Sequence, residues 1–178
     1  MKKLSMEELG RMNVEAFKQS EKQPIVVVLD NIRSMNNIGS VFRTCDAFRI
    51  EEIILCGITA CPPHKDIEKT ALGATESVKW SYSKNTLEAI ETLKVKNYII
   101  YSVEQVEHSL SLEAASWDGR QAIALIFGNE VMGVDQEVVD KSDHCIEIPQ
   151  FGTKHSLNIS VSAGIVLWHF CYLSLKNK

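Results

Sequence analysis

The sequence predicts an α/β fold, a mostly parallel sheet with helices on both faces. Three observations carry that prediction. Residues Ile25 to Leu29 read IVVVL, a continuous β-branched run of the kind buried on both sides of a sheet. Runs of this type alternate along the chain with stretches of helical periodicity, the pattern of parallel strands joined by helical crossovers. The length, 178 residues, suits one domain large enough to bury a sizeable core.

The elements follow in order. Ser5-Met6-Glu7-Glu8 has the capping-box spacing, so a short helix is predicted around Ser5 to Leu9, followed by a tether ending at Pro24. Ile25 to Leu29 is the first strand. In Asn36 to Phe48 the apolar residues Ile38, Val41, Phe42, Cys45 and Phe48 form one helical stripe. Glu52 to Cys56 gives a second strand, followed by a loop holding Pro62 and Pro63. Trp80 is read as closing a weak third strand, and Thr86 to Leu93 as a helix. Tyr98 to Val103 and Ala122 to Gly128 are strands four and five, and HCIEIP a sixth. The last element is a helix from Leu157 to Leu173. Residues 1–24 are expected to be an extension and 25–178 a single domain.

Composition limits the function classes. Nineteen basic against 23 acidic residues give a net charge of −4, so RNA could be bound only through a local basic patch. Five cysteines without a C-x-x-C pair point to reduced thiols, hence a cytoplasmic protein, rather than disulfides or zinc. No apolar run follows Met-Lys-Lys, so no signal peptide is expected. Val161 to Leu173 is too short for a bilayer span, so no membrane association is expected either.

Ligands of parallel sheets bind beyond the carboxyl ends of the strands, and three such ends carry unusual polar groups. The first is NNIGSVFR, where Arg43 lies roughly 140° around the helix from Ile38, off the core stripe. Two readings fit it: a guanidinium held toward a phosphate or a reacting oxygen, or a solvated arginine on a helix capped by Asn36 or Asn37. The second is FGNEVMGVD. Gly128 lets a ligand approach the backbone, but Val134 and Asp135 stand where a P-loop needs Lys and Ser/Thr. No G-x-G-x-x-G follows the first strand, so a Rossmann nucleotide site is not expected. The third is IPQFGTKHSLNIS. Ser156 fits as the N-cap of the last helix, which leaves Lys154, His155 and Asn158 to be explained. His155 reads either as a base or as an exposed group facing a polyanion. The remaining histidines have no metal-ligand spacing, and no metal is expected. The last helix is apolar around most of its circumference, which calls for cover from the sheet and from another subunit.

Together these stretches resemble the motifs of the SpoU/TrmH family of RNA 2′-O-ribose methyltransferases in the SPOUT superfamily. Asn37-Ile38-Gly39 to Arg43 with TCDAF matches the first motif, IFGNEVMG the second and IPQFGTKHSLNISVS the third. The resemblance spans Ile25 to about Leu173 and implies a C-terminal trefoil knot, S-adenosylmethionine as cofactor, RNA as substrate and a homodimer with the active site at its interface. Arg43 would engage the ribose 2′-hydroxyl with Asn37 positioning it, while Glu130, Ser156 and Asn158 order the catalytic loops. Gly128, Ile148, Ser156 and Leu157 would hold the cofactor, with Ser102 or Val103 lining the pocket. Arg33, Arg43, Lys154 and His155 would meet RNA. SVEQVEHSLSL and IPQFG look like members that modify a guanosine of the tRNA D-loop, which favours tRNA over rRNA. The alternative is a knotted dimer that binds RNA or cofactor without catalysis. Arg49 departs from the family, which often has Gly there. In the extension, Lys2, Lys3, Arg11, Lys18 and Lys22 either add phosphate contacts or belong to a solvated tail.

Overall fold

In the computed structural model, which describes residues 1–5 and 7–176, seven strands form one sheet in the order β3-β2-β1-β6-β4-β7-β5, and every strand pairing is parallel. The strands are β1 (Gln23–Asp30), β2 (Ile50–Cys56), β3 (Trp80–Ser83), β4 (Ile99–Val103), β5 (Leu110–Ser111), β6 (Ile123–Phe127) and β7 (His144–Glu147). The helices are α1 (Val14–Gln19), α2 (Met35–Ala47), α3 (Lys65–Ala71), α4 (Ala74–Ser77), α5 (Thr86–Val95), α6 (Gln136–Lys141) and α7 (Ile159–Lys176).

The β1 run is buried on both sides because its side chains alternate between two cores. Ile25, Val27 and Leu29 join α2, α3, α4 and α7, with Phe17 of α1, on one face; Val26 and Val28 join α5 and α6 on the other. The α2 stripe is buried at Ile38, Val41, Phe42 and Cys45 as its periodicity requires. Gly39 is buried as well: a Cβ there would lie 2.2 Å from Ile67 O and Thr70 Oγ1, so the glycine lets α3 cross close to α2.

Several expectations need correction. The capping-box bonds form, with Ser5 N donating to Glu8 Oε2 at 2.7 Å and Glu8 N to Ser5 Oγ at 3.2 Å, but they close only a turn. Met6 and residues 177–178 lie outside the described residues. The tether instead contains α1, capped by Asn13, whose Oδ1 accepts from Ala16 N, and β1 begins before Pro24. Trp80 opens the third strand. The short elements α3, α4, α6 and β5 carry too few apolar positions for periodicity to reveal them. Asn158, not Ser156, precedes the last helix, and its Oδ1 accepts from Ser160 N at 2.9 Å.

Arg49 takes φ 53°, in the left-handed region just past α2, where glycine is the unstrained residue. Helix α7, at 18 residues longer than expected, has the length and apolarity of a membrane span. Core helices of soluble proteins meet the same measure, and Ile159, Ala163, Val166, Leu167, Phe170, Cys171 and Ser174 are buried within the protein.

Candidate functional site

Three connections leave the carboxyl ends of β1, β6 and β7 and meet. After β1 the chain turns at Asn31, with φ 55°, and enters α2 through Ser34, whose hydroxyl accepts from Asn37 N at 3.3 Å. After β6 it makes a tight loop at residues 129–133, closed by reciprocal Asn129–Gly133 backbone bonds of 2.9 Å. A Cβ on Gly128 would lie 2.1 Å from Gly133 C and Val134 N, so the loop folds back over a residue that must lack a side chain. After β7, residues 148–158 lead to α7.

A chain of side-chain hydrogen bonds joins all three. The Glu130 carboxylate accepts from Arg33 N and Ser34 N, both at 3.0 Å, and from Asn37 Nδ2 at 3.2 Å. Asn37 Oδ1 accepts from Asn158 Nδ2 at 3.1 Å. Partial burial opposes ionisation of Glu130, but the amide donors outweigh it and hold its carboxyl below the ordinary range. The positive end of the α2 dipole favours the same state.

Beside this chain lies a cavity of 480 Å³, lined by Val103 of β4, Gly128, Glu130, Ile148, Ser156, Leu157 and Asn158 among others. Its volume lies within the range of roughly 300–1,000 Å³ typical of small-molecule sites. Three carboxylates face it, Glu104, Glu130 and Glu147; among the described residues lining it, His155 alone has a basic side chain. Such a lining favours a cation and disfavours a phosphate.

The remaining expected residues fall elsewhere. Ser102, adjacent to Val103, is fully buried on the opposite face of the sheet, with its hydroxyl 2.7 Å from Ser142 Oγ, so of that pair Val103 reaches the cavity. Arg43 is exposed on α2, six residues and about 9 Å of helix rise beyond Asn37. It lines a separate groove of 670 Å³ between α2 and α7, together with Phe48, Val161, Ile165 and Trp168. Arg33 and Lys154 are exposed outside the cavity. In the extension, Lys2 pairs with Glu8, Lys18 with Glu15, and Lys22 caps backbone carbonyls of Phe17 and Ser20. Lys18 and Lys22 precede β1, at the amino end of the strand, and the backbone at Lys22 lies about 26 Å from Asp30 at its carboxyl end, at 3.3 Å per strand residue. Among the described residues no three His, Cys, Asp or Glu side chains gather as a metal-binding group.

Sequence reasoning missed Glu104 and Asn129. Glu104 Oε2 accepts from Val134 N at 2.9 Å, and Asn129 Nδ2 donates to Asn31 O at 2.7 Å. Their only signal was position, directly after a strand or within a turn.

Residues 24–168 match the model of the SpoU rRNA methylase family. A tRNA (guanosine(18)-2′-O)-methyltransferase of Thermus thermophilus is 29% identical over 164 residues, covering 90% of this chain and 81% of that protein. YacO of Bacillus subtilis, assigned to the TrmH family of tRNA/rRNA methyltransferases, is 27% identical over 154 residues, 86% of this chain; the chain spans only 61% of its length. Among solved structures, an AdoMet-bound rRNA methyltransferase of Sinorhizobium meliloti superposes with a TM-score of 0.77 at 25% identity, over 84% of this chain and 56% of that one. The A. aeolicus TrmH/SpoU tRNA modifying enzyme shares the fold, with a TM-score of 0.80 at 24% identity, over 92% of this chain and 81% of that one.

Proposed function

The chain belongs to the SpoU rRNA methylase family, and from that premise we propose that it methylates a ribose 2′-hydroxyl in structured RNA with S-adenosylmethionine as donor. The observation that carries this reading is the Glu130–Asn37–Asn158 hydrogen-bond chain, which brings all three motifs to the edge of one acidic cavity. Bound there, S-adenosylmethionine would supply an electrophilic methyl group on a sulfonium. The lining fits a cationic ligand, with Val103, Gly128, Ile148, Ser156 and Leu157 as the holding residues.

The chain's own part is positioning and electrostatics. Methyl transfer needs the attacking oxygen in line with the methyl carbon and sulfur, and alignment alone lowers such barriers greatly. Glu130 clamps the entrance of α2 against the 129–133 loop, and Asn37 links that clamp to Asn158 at the start of α7. Arg43 engages the ribose 2′-hydroxyl, its guanidinium stabilising the oxyanion that develops as the proton passes to solvent water. Arg33 and Lys154, exposed outside the cavity, and His155 in its lining would meet the RNA phosphates. Transfer RNA is the favoured substrate, supported by the Thermus thermophilus relative. The basic residues of the extension that lie beyond the far end of the sheet are left out of this surface.

A homodimer with the site at its interface belongs to the proposal. Val161, Ile165, Trp168, Tyr172 and Leu175 form an exposed stripe on α7, separated by gaps of four and three residues. That spacing is the seam of a helix packed on another helix. A second copy on this stripe would enclose the groove that holds Arg43. A threaded C-terminal segment belongs to it too: β7 lies between β4 and β5, although only residues 104–109 join those two strands. The free cysteines support a cytoplasmic location.

The test is incubation with cofactor carrying a labelled methyl group and either total tRNA or ribosomal RNA. Transfer to ribose, lost in Arg43→Ala while cofactor affinity is retained, is the expected outcome. Binding of cofactor or RNA with no transfer to either pool would favour the non-catalytic alternative.

A further inference from the structure

Glu130 can act as a clamp only if its own loop is fixed relative to the loop after β1. The bond that fixes it comes from the preceding residue. Asn129 Nδ2 donates to Asn31 O at 2.7 Å, while Asn129 Oδ1 accepts from Val131 N at 2.9 Å and Met132 N at 3.1 Å. One amide group therefore shapes the 129–133 loop and ties it to the neighbouring connection. Asn31 is itself held: its Oδ1 accepts from Ile58 N at 3.2 Å, and its Nδ2 donates to Asp30 Oδ1 at 2.9 Å. Asp30 is buried and also accepts from Thr86 Oγ1 at 2.5 Å and from Asp135 N at 3.2 Å. The anchor thus rests on four connections at the carboxyl end of the sheet. The Glu130 loop reaches it through Asn129 and, six residues on, through Asp135 N.

We propose that Asn129 is a positioning residue for the methyl transfer, setting Glu130 within reach of the Arg33 and Ser34 amides through its bond to Asn31 O. The inference rests on the proposed reaction only for its kinetic arm; the placement of Glu130 can be read without catalysis. A carboxylate that keeps two backbone N–H donors titrates low, and one that swings free returns toward the ordinary glutamate value of about 4.3.

Two variants separate the roles of the amide. Asn129→Ser keeps a hydroxyl able to accept from the next backbone N–H groups of the turn, but is too short to reach Asn31 O. Asn129→Ala loses both functions. The probe is the carboxyl-carbon NMR titration of Glu130 in the full chain, beside kcat and KM for cofactor with a competent RNA. In both variants the Glu130 titration is expected to move up toward the ordinary range, kcat to fall about 10- to 100-fold, and KM for cofactor to stay within about threefold. If Asn129→Ala does not fold, Asn129→Ser carries the test alone. A Glu130 titration unchanged from the parent in the folded variants overturns the inference, as does a parental kcat beside a shifted titration. If the parent transfers no methyl group to any RNA while the titration shifts as expected, the proposed function falls and the positioning of Glu130 by Asn129 stands.

Discussion

Replacing Gly128 with Ala is the sharpest perturbation of the site, because one methyl group strikes backbone. The added Cβ would sit 2.1 Å from Gly133 C and Val134 N, where ordinary contact begins at 3.4 Å. Neither atom belongs to a flexible side chain, so the loop that carries Glu130 must retreat by about 1.3 Å in a close-packed setting. Glu130 bonds at 3.0 to 3.2 Å would then open to about 4 Å and cease to be hydrogen bonds. Overpacking of this kind costs about 1–3 kcal/mol, which lowers Tm by about 2–4 °C per kcal/mol in a chain of this size. The larger effect falls on rate, since a misplacement of about 1 Å costs about 100-fold. The assay is initial methyl transfer at saturating RNA and cofactor, with thermal unfolding monitored on the same samples. A folded Gly128→Ala protein with the parental rate and parental Tm refutes the claim that close backbone approach at Gly128 sets the site.

Two further outcomes follow from the fold. Arg49→Gly relieves a left-handed residue at the end of α2; it is expected to stabilise by about 1 kcal/mol and raise Tm by about 2–4 °C, and a lower Tm would show that the arginine side chain contributes more than its backbone costs. Trp168→Glu places a charge in the exposed α7 stripe, where Trp168 is 54% exposed and stacks on Tyr172 at 5.2 Å. Sedimentation velocity is expected to show loss of a dimer with the far-UV spectrum retained; a variant as dimeric as the parent would remove α7 from the interface.

What the amino-acid sequence determined by itself was local or periodic. The β1 run and the α2 stripe were legible because burial on two faces or on one face leaves a mark at a fixed spacing. Glu130, Asn37 and Asn158 were legible as members of motifs, yet nothing in their spacing along the chain said that they touch. The sequence also placed Ser156 as a helix cap and a tether before Pro24, because cap and turn propensities are weak local preferences that neighbouring contacts override. Tertiary structure alone decided that Asn158 caps α7, that Val103 rather than Ser102 faces the cavity, and that Arg43 lies in a groove of its own. It also decided the work of Asn129, whose partner is a backbone carbonyl nearly a hundred residues away in the chain. The reason is physical: a hydrogen bond between loops depends on where the sheet delivers its strand ends, and strand order β3-β2-β1-β6-β4-β7-β5 is a property of the whole packed chain.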